Sequence, residues 1–235
     1  MAQQTDAINT TPAQQSRPLP PQRARQLRLG VGIELITLAW MTVEATIALI
    51  AGFATHSVAL QGFGFDSIIE LITGAVLLWR LLVEQRGASS TTVERAERRA
   101  AWIAAICLFV LAAYIVADSA FSLYTRSHPV ASWWGIALAL AAAIVMPLLW
   151  QGKLRIATRI GSAALKADAM CSITCAYMSF TLLAGLLLNA FFGFWWADPL
   201  AALVLVYFIV REGREALHEA RTGETCDCGE EERSC

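Results

Sequence analysis

The sequence predicts an all-α membrane protein: six transmembrane helices in a bundle, both termini cytosolic. Three observations carry this. Six long apolar stretches run through the chain, its charged residues gather in short blocks between them, and its basic residues fall almost entirely on one side. Of 235 residues, 57% are hydrophobic and 16% charged, where a soluble domain carries about 25% charge.

The stretches are Val31–Phe53, Val58–Trp79, Ala101–Leu123, Ser132–Trp150, Ala167–Leu188 and Phe194–Val210. A helix needs about 20 mostly apolar residues to cross a hydrocarbon core of about 30 Å. Helices satisfy their own backbone polar groups, which lipid cannot do, and the alternation of a barrel strand is absent. The first run is too long for the apolar core of a secretory signal. Residues 1–28 contain Pro12, Pro18, Pro20 and Pro21 among Gln, Thr and Ala, and read as a disordered cytosolic tail. Residues 29–220 form the six-helix transmembrane domain, and 221–235 a cytosolic tail bearing Cys226, Cys228 and Cys235.

Orientation follows from charge. Six spans place the N-tail, the loops after spans two and four, and the C-tail on one side. Seventeen of the eighteen Lys and Arg residues lie there, Lys153 and Lys166 included, and only Arg126 lies opposite. Basic loops stay in the cytosol, so the expected location is the cell membrane, multi-pass (the inner membrane in a Gram-negative cell). Trp79, Trp102 and Trp150 mark one interface, and Trp133, Trp134, Trp195 and Trp196 the other, as aromatic belts do. The net charge of −1 hides this asymmetry. No nucleic-acid partner is expected.

Seven acids sit within the spans: Glu34, Glu44, Asp66, Glu70, Asp118, Asp168 and Asp198. A charge at the bilayer centre costs about 3 kcal/mol or more. With Lys166 the one base at a span entrance, these acids call for a cation or for protons. Asp66 and Glu70 are four apart, on one face of span two. Asp168, Cys171 and Cys175, at i, i+3 and i+7, share a face of span five. Two carboxylates and two thiolates suit a four-coordinate divalent ion, and sulfur favours zinc, cadmium or lead over magnesium or calcium.

The two spans also align: Ser57-Val-Ala-Leu-Gln-Gly-Phe-Gly-Phe-Asp66-Ser-Ile-Ile-Glu70 over Ser162-Ala-Ala-Leu-Lys-Ala-Asp-Ala-Met-Cys171-Ser-Ile-Thr-Cys175, with five of fourteen positions identical. Asp66 falls on Cys171 and Glu70 on Cys175, three spans apart. Two oppositely oriented three-span halves are the inverted-repeat plan of secondary transporters, whose sites lie near the midplane. At 1.5 Å per residue, Asp66 lies about 13 Å and Cys175 about 20 Å from the outer surface.

The remaining polar residues have plainer readings. Asp168 is a ligand or entrance gate, or else the partner of Lys166. Asp198, before Pro199, reads as the N-cap of its own helix. Glu34 is solvated near the inner interface, Glu44 lines an ion or proton path, and Asp118 bonds a neighbouring helix. His56 and His128 are solvated, and Cys107 is a packing residue. Cys226-Asp-Cys228 with Cys235 is a metal trap or a set of plain thiols. In a reducing cytosol no disulfide framework is expected.

The stretch from Ser57 to Glu70 resembles helix 2 of the cation diffusion facilitators. Ala167-Asp168-Ala-Met-Cys171-Ser-Ile-Thr-Cys175 and Trp196-Ala-Asp198-Pro199-Leu-Ala-Ala-Leu resemble their helices 5 and 6. The resemblance covers about Leu27 to Ala220. It implies a cation-efflux-type bundle that exports a divalent metal against protons, usually as a homodimer. It places the acid pair of the family's site at Asp66 and Glu70. The family's His-x-x-x-Asp pair stands here as Cys171 and Cys175, a departure that favours thiophilic ions. A second departure is the short segment after span six, as in a small branch made of the transmembrane part alone.

The expectation is thus a zinc-, cadmium- or lead-type efflux transporter, zinc first, with Asp66, Glu70, Cys171, Cys175 and Asp168 as metal ligands. The ion is cargo, and no prosthetic group is expected. Glycines such as Gly62, Gly64 and Gly185 would permit close helix approach. The alternative is a non-transporting membrane metal sensor or an assembly factor. An enzyme is not expected: none of the three His residues is mid-span, and no nucleophile elbow or phosphate loop is present.

Overall fold

The computed structural model describes residues 21–85, 90–126, 129–130 and 132–222. The tail before residue 21, His128 and the thiols of Cys226, Cys228 and Cys235 lie outside them. The described residues form six helices: α1 (Pro21–Thr55), α2 (Val58–Gln85), α3 (Ser90–Thr125), α4 (Trp133–Ile160), α5 (Ala163–Phe192) and α6 (Ala197–Thr222). Several run past the apolar stretch that announced them. α1 begins at Pro21 and α3 at Ser90, because the Arg, Gln, Glu and Ala residues there are good helix formers.

Four helices contain a window long and apolar enough to cross a membrane: Arg25–Thr55, Ala101–Thr125, Trp133–Ile160 and Leu165–Phe192. The other two, α2 and α6, are broken by charge along their lengths. Asp66 and Glu70 of α2 and Asp198 and Glu212 of α6 are among those charges.

The helix ends follow local chemistry. Ser132 caps α4 and Ser162 caps α5, each hydroxyl accepting from the amide three residues on. Gly161 and Gly193 close the same helices at φ of 67° and 65°, the left-handed conformation a glycine adopts without strain. Ser57 does for α2 what Ser162 does for α5: the Leu60 amide donates to its Oγ at 3.1 Å. Farther along, the hydroxyls of Ser67 and Ser172 donate to the carbonyls four residues back, of Phe63 and Asp168. The aligned serines of the two halves thus share their roles.

Asp198 behaves differently from its expected role. It lies inside α6, and its carboxylate caps α2, accepting from Ser57 Oγ and from the backbone amides of Val58 (2.8 Å) and Ala59 (3.5 Å). A carboxylate at a helix N-terminus satisfies orphan amides and meets the positive end of the dipole. The starts of α2 and α6 are thereby pinned together and the two helices run side by side in the same direction. At the far end, the Arg98 guanidinium of α3 donates to the carbonyls of Ala220 (2.6 Å) and Arg221 (2.7 Å) of α6.

α1 packs on α2 and α4, α4 on α5, and α3 on α6, with α2 reaching α3, α5 and α6. The core between them holds Leu60, Phe63, Ile115, Met146, Met178, Leu182, Leu205 and Ile209. Small residues set the approach: a Cβ added at Gly185 would stand 2.6 Å from Ala201 Cβ of α6, and one at Gly62 2.7 Å from Ile115 of α3. The outer surface carries Ile36, Ile50, Val110, Phe121, Ile144 and Leu148. A contiguous apolar exterior of this kind is the lipid-facing surface of a membrane bundle. Cys107 stands on that exterior, not in the packing role expected of it.

Candidate metal site

Asp66 and Glu70 project from successive turns of α2 into the interior, and both are buried. None of their four carboxylate oxygens has a hydrogen-bond partner among the described residues. A third carboxylate, Glu212 of α6, joins them. One oxygen from each of the three lies within 4.8 Å of the others. Two unit negative charges 4.8 Å apart repel by about 3.5 kcal/mol at an effective dielectric of about 20. A buried carboxylate without a donor also forfeits its hydration. Such a cluster holds together when positive charge is delivered into it.

The helix register explains why these groups meet. Asp198 fixes the start of α6 against the start of α2. Counting 1.5 Å per residue from there, Asp66 lies about 12 Å along α2, Glu70 about 18 Å, and Glu212 about 21 Å along α6. That register comes from the contact between the two helix starts and is not written in the sequence of either helix alone. Glu212 lies just beyond the apolar stretch that ends at Val210, flanked by Arg211 and Arg214, so local composition does not single it out.

α5 supplies the sulfur. Cys175 is buried, and the charged side chains around it are Glu70, Glu44, Asp66 and Glu212. Its Sγ is 3.8 Å from Glu44 Oε1. Cys171, one turn away and half-buried, has Glu212, Glu70 and Asp168 around it. Both thiols stand outside the 4.8 Å set formed by the three carboxylates.

Glu44 of α1 bounds the site. It is buried, and accepts hydrogen bonds from Trp40 Nε1 (2.6 Å) and from Ser67 Oγ of α2 (2.9 Å). Because Ser67 neighbours Asp66 in sequence, this bond couples α1 to the turn that carries Asp66.

Asp168 has another occupation. Its carboxylate is paired with the ammonium of Lys153 from α4, and Lys153 Nζ also lies 3.3 Å from Glu34 Oε2 of α1. Lys153 and Glu34 are buried completely. This corrects three expectations at once. Asp168 serves an ion pair and not the carboxylate cluster, Glu34 is not solvated, and Lys153 is not a loop residue. The fit is close: a Cβ on Gly74 of α2 would stand 2.8 Å from Glu34 Oε1. Beyond this triad, toward the end of the bundle where α1 begins, Leu27, Leu77, Leu81, Ala157 and Leu165 form an apolar plug. The triad therefore ties α1, α4 and α5 together between the carboxylate cluster and that plug.

Comparison with known proteins gives this arrangement a family. Residues 35–222 match the cation efflux transmembrane domain. The chain is similar to the manganese efflux system protein MneS of Bacillus subtilis, 24% identical over 206 residues, which is 85% of this chain and 69% of MneS. It is likewise similar to the uncharacterized transporter YdbO of the same organism, 24% identical over 209 residues, with coverage of 85% and 69%. With the match extending across all six helices, the chain belongs to the cation efflux family of membrane transporters.

Proposed function

We propose that this protein exports a divalent transition-metal ion from the cytosol in exchange for protons, as a homodimer in the cell membrane with both termini cytosolic. One observation carries the reading most: Asp66 and Glu70 are buried with no hydrogen-bond partner for their carboxylate oxygens among the described residues, and they are among the acids that surround Cys175 of α5. Buried carboxylates with a thiol in the same acidic surroundings supply the donor types for a metal ion. Cys171 is the further sulfur ligand in this reading, one turn along α5.

Sulfur favours zinc, cadmium and lead-like ions over magnesium and calcium. A similar protein carries manganese in its name, so manganese joins the candidates. Proton exchange follows from ligand chemistry. Metal binding requires deprotonated carboxylates and thiolates, so protons arriving from the far side compete for the same atoms and release the ion. Orientation is supported by the basic residues: with the buried Lys153 set aside, sixteen of the other seventeen lie on one side of the six spans.

The test is flux in vesicles reconstituted with the purified chain and an internal pH dye. Zinc or cadmium uptake should be accompanied by counter-movement of protons, and Asp66→Asn should abolish both. Uptake at the wild-type rate in that variant would remove the site, and ion binding without uptake in the wild type would remove transport.

A further inference from the structure

We propose that Glu212 of α6 is a metal ligand, and that this third carboxylate extends the site from thiophilic ions to manganese(II)-class ions. The inference rests on the proposed metal site but adds a helix and a chemical consequence to it. Glu212 is 7% exposed and its Oε1 has no hydrogen-bond partner among the described residues. One of its oxygens lies within 4.8 Å of both Asp66 and Glu70. A carboxylate this deeply buried beside two others adds repulsion, and its Oε1 makes no hydrogen bond among the described residues to offset it. Its placement is explained if a cation draws the three together.

The consequence follows from donor hardness. Two carboxylates with two thiolates make a soft site. Replacing a thiolate by a third carboxylate gives an oxygen-dominated site, the kind that suits manganese, while one remaining sulfur still holds cadmium. The inference also places α6, the helix that packs on α3, in direct contact with the ion. Movement of that helix pair would then open or complete the coordination shell.

The test uses the purified full chain and two ions, Mn2+ and Cd2+. Affinity is read from the thermal stabilisation each ion gives, since a ligand that binds only the folded state raises its stability with concentration. Glu212→Gln is near-isosteric and removes one anionic donor. Outer partners of metal ligands are worth about 10- to 100-fold in affinity. A direct ligand should be worth at least that, so Mn2+ affinity should fall by about tenfold or more, and Cd2+ affinity by less than about threefold. Asp66→Asn is the reference and should weaken both ions severely. An unchanged Mn2+ affinity in Glu212→Gln, with Asp66→Asn crippled, would overturn the role of Glu212 and leave the site standing. An equal loss of both ions, or a wild type that binds only Cd2+, would overturn the specificity claim. Unchanged binding in Asp66→Asn would overturn the underlying site. Should Glu212→Gln not yield folded protein, Glu212→Asp, which withdraws the carboxylate by one methylene, replaces it with the same ordering expected.

Discussion

Replacing Lys153 with Met removes an ammonium that faces both Glu34 and Asp168 while keeping the bulk of the side chain. At 3.3 Å from Glu34 Oε2, that ammonium contributes about 5 kcal/mol of attraction at an effective dielectric of about 20, with Asp168 adding a second interaction. The cost of burying Lys153 offsets part of this. Removing one partner of a buried pair costs about 3 to 5 kcal/mol, because an uncompensated charge remains. For a chain of 235 residues, about 1 kcal/mol moves the melting midpoint by roughly 2 to 4 °C, so Lys153→Met should melt lower by about 10 °C. The assay is thermal unfolding of the purified protein in detergent, followed by circular dichroism. Neutralising all three groups, as Lys153→Met with Glu34→Gln and Asp168→Asn, should recover most of the loss, since apolar or neutral replacements of a buried ion pair are often tolerated. A single variant that melts within about 2 °C of the wild type, or a triple variant that melts as low as the single one, would refute the triad as a lock between α1, α4 and α5.

Other consequences follow from the same geometry. Asp198→Ala deletes charge-assisted bonds to the start of α2, each worth about 1.5 to 3 kcal/mol. It should lower stability by about 3 kcal/mol and speed hydrogen exchange at the first amides of α2, with Asp198→Asn milder; unchanged exchange there would show that α2 is held elsewhere. Gly185→Val places side-chain carbon against Ala201, where even a Cβ would stand at 2.6 Å. Overpacking of this kind costs about 1 to 3 kcal/mol, so the variant should melt lower, and an Ala201→Gly partner substitution should return part of the loss.

Much of the fold was legible because membrane-spanning helices are written in composition. The runs beginning at Val31, Ala101 and Ser132 announce α1, α3 and α4 directly, and the turns between helices use Ser and Gly as capping chemistry requires. The internal alignment was legible for the same reason: Ser57 and Ser162 are both hydroxyl caps, so the repeat reflects shared local roles. The α2 acids were legible because a lone carboxylate in an apolar run stands out.

What the sequence hid was pairing between distant segments. Lys153 stands near Arg155 and Arg159, and one-dimensional reading places it with them outside the membrane. In the bundle its side chain turns inward to two acids from other helices. Asp168 has ligand spacing with Cys171 and Cys175, yet a helix face does not say which neighbour it meets, and here Lys153 meets it first. Glu212 was hidden by flanking arginines. Only the cross-helix cap by Asp198 reveals its depth, and a cap of one helix by another leaves no mark in local sequence.

X-ray absorption at the metal edge, on full-length protein loaded with zinc and freed of excess ion, probes the proposed site most directly. A mixed shell is expected, with oxygen at about 2.0 to 2.2 Å and sulfur at about 2.3 Å. The sulfur contribution should vanish in a variant lacking Cys171 and Cys175, and bound zinc should be lost when Asp66 and Glu70 are both neutralised. A shell without sulfur in the wild type, or zinc retained at full stoichiometry without the two α2 carboxylates, would contradict a site built between α2 and α5.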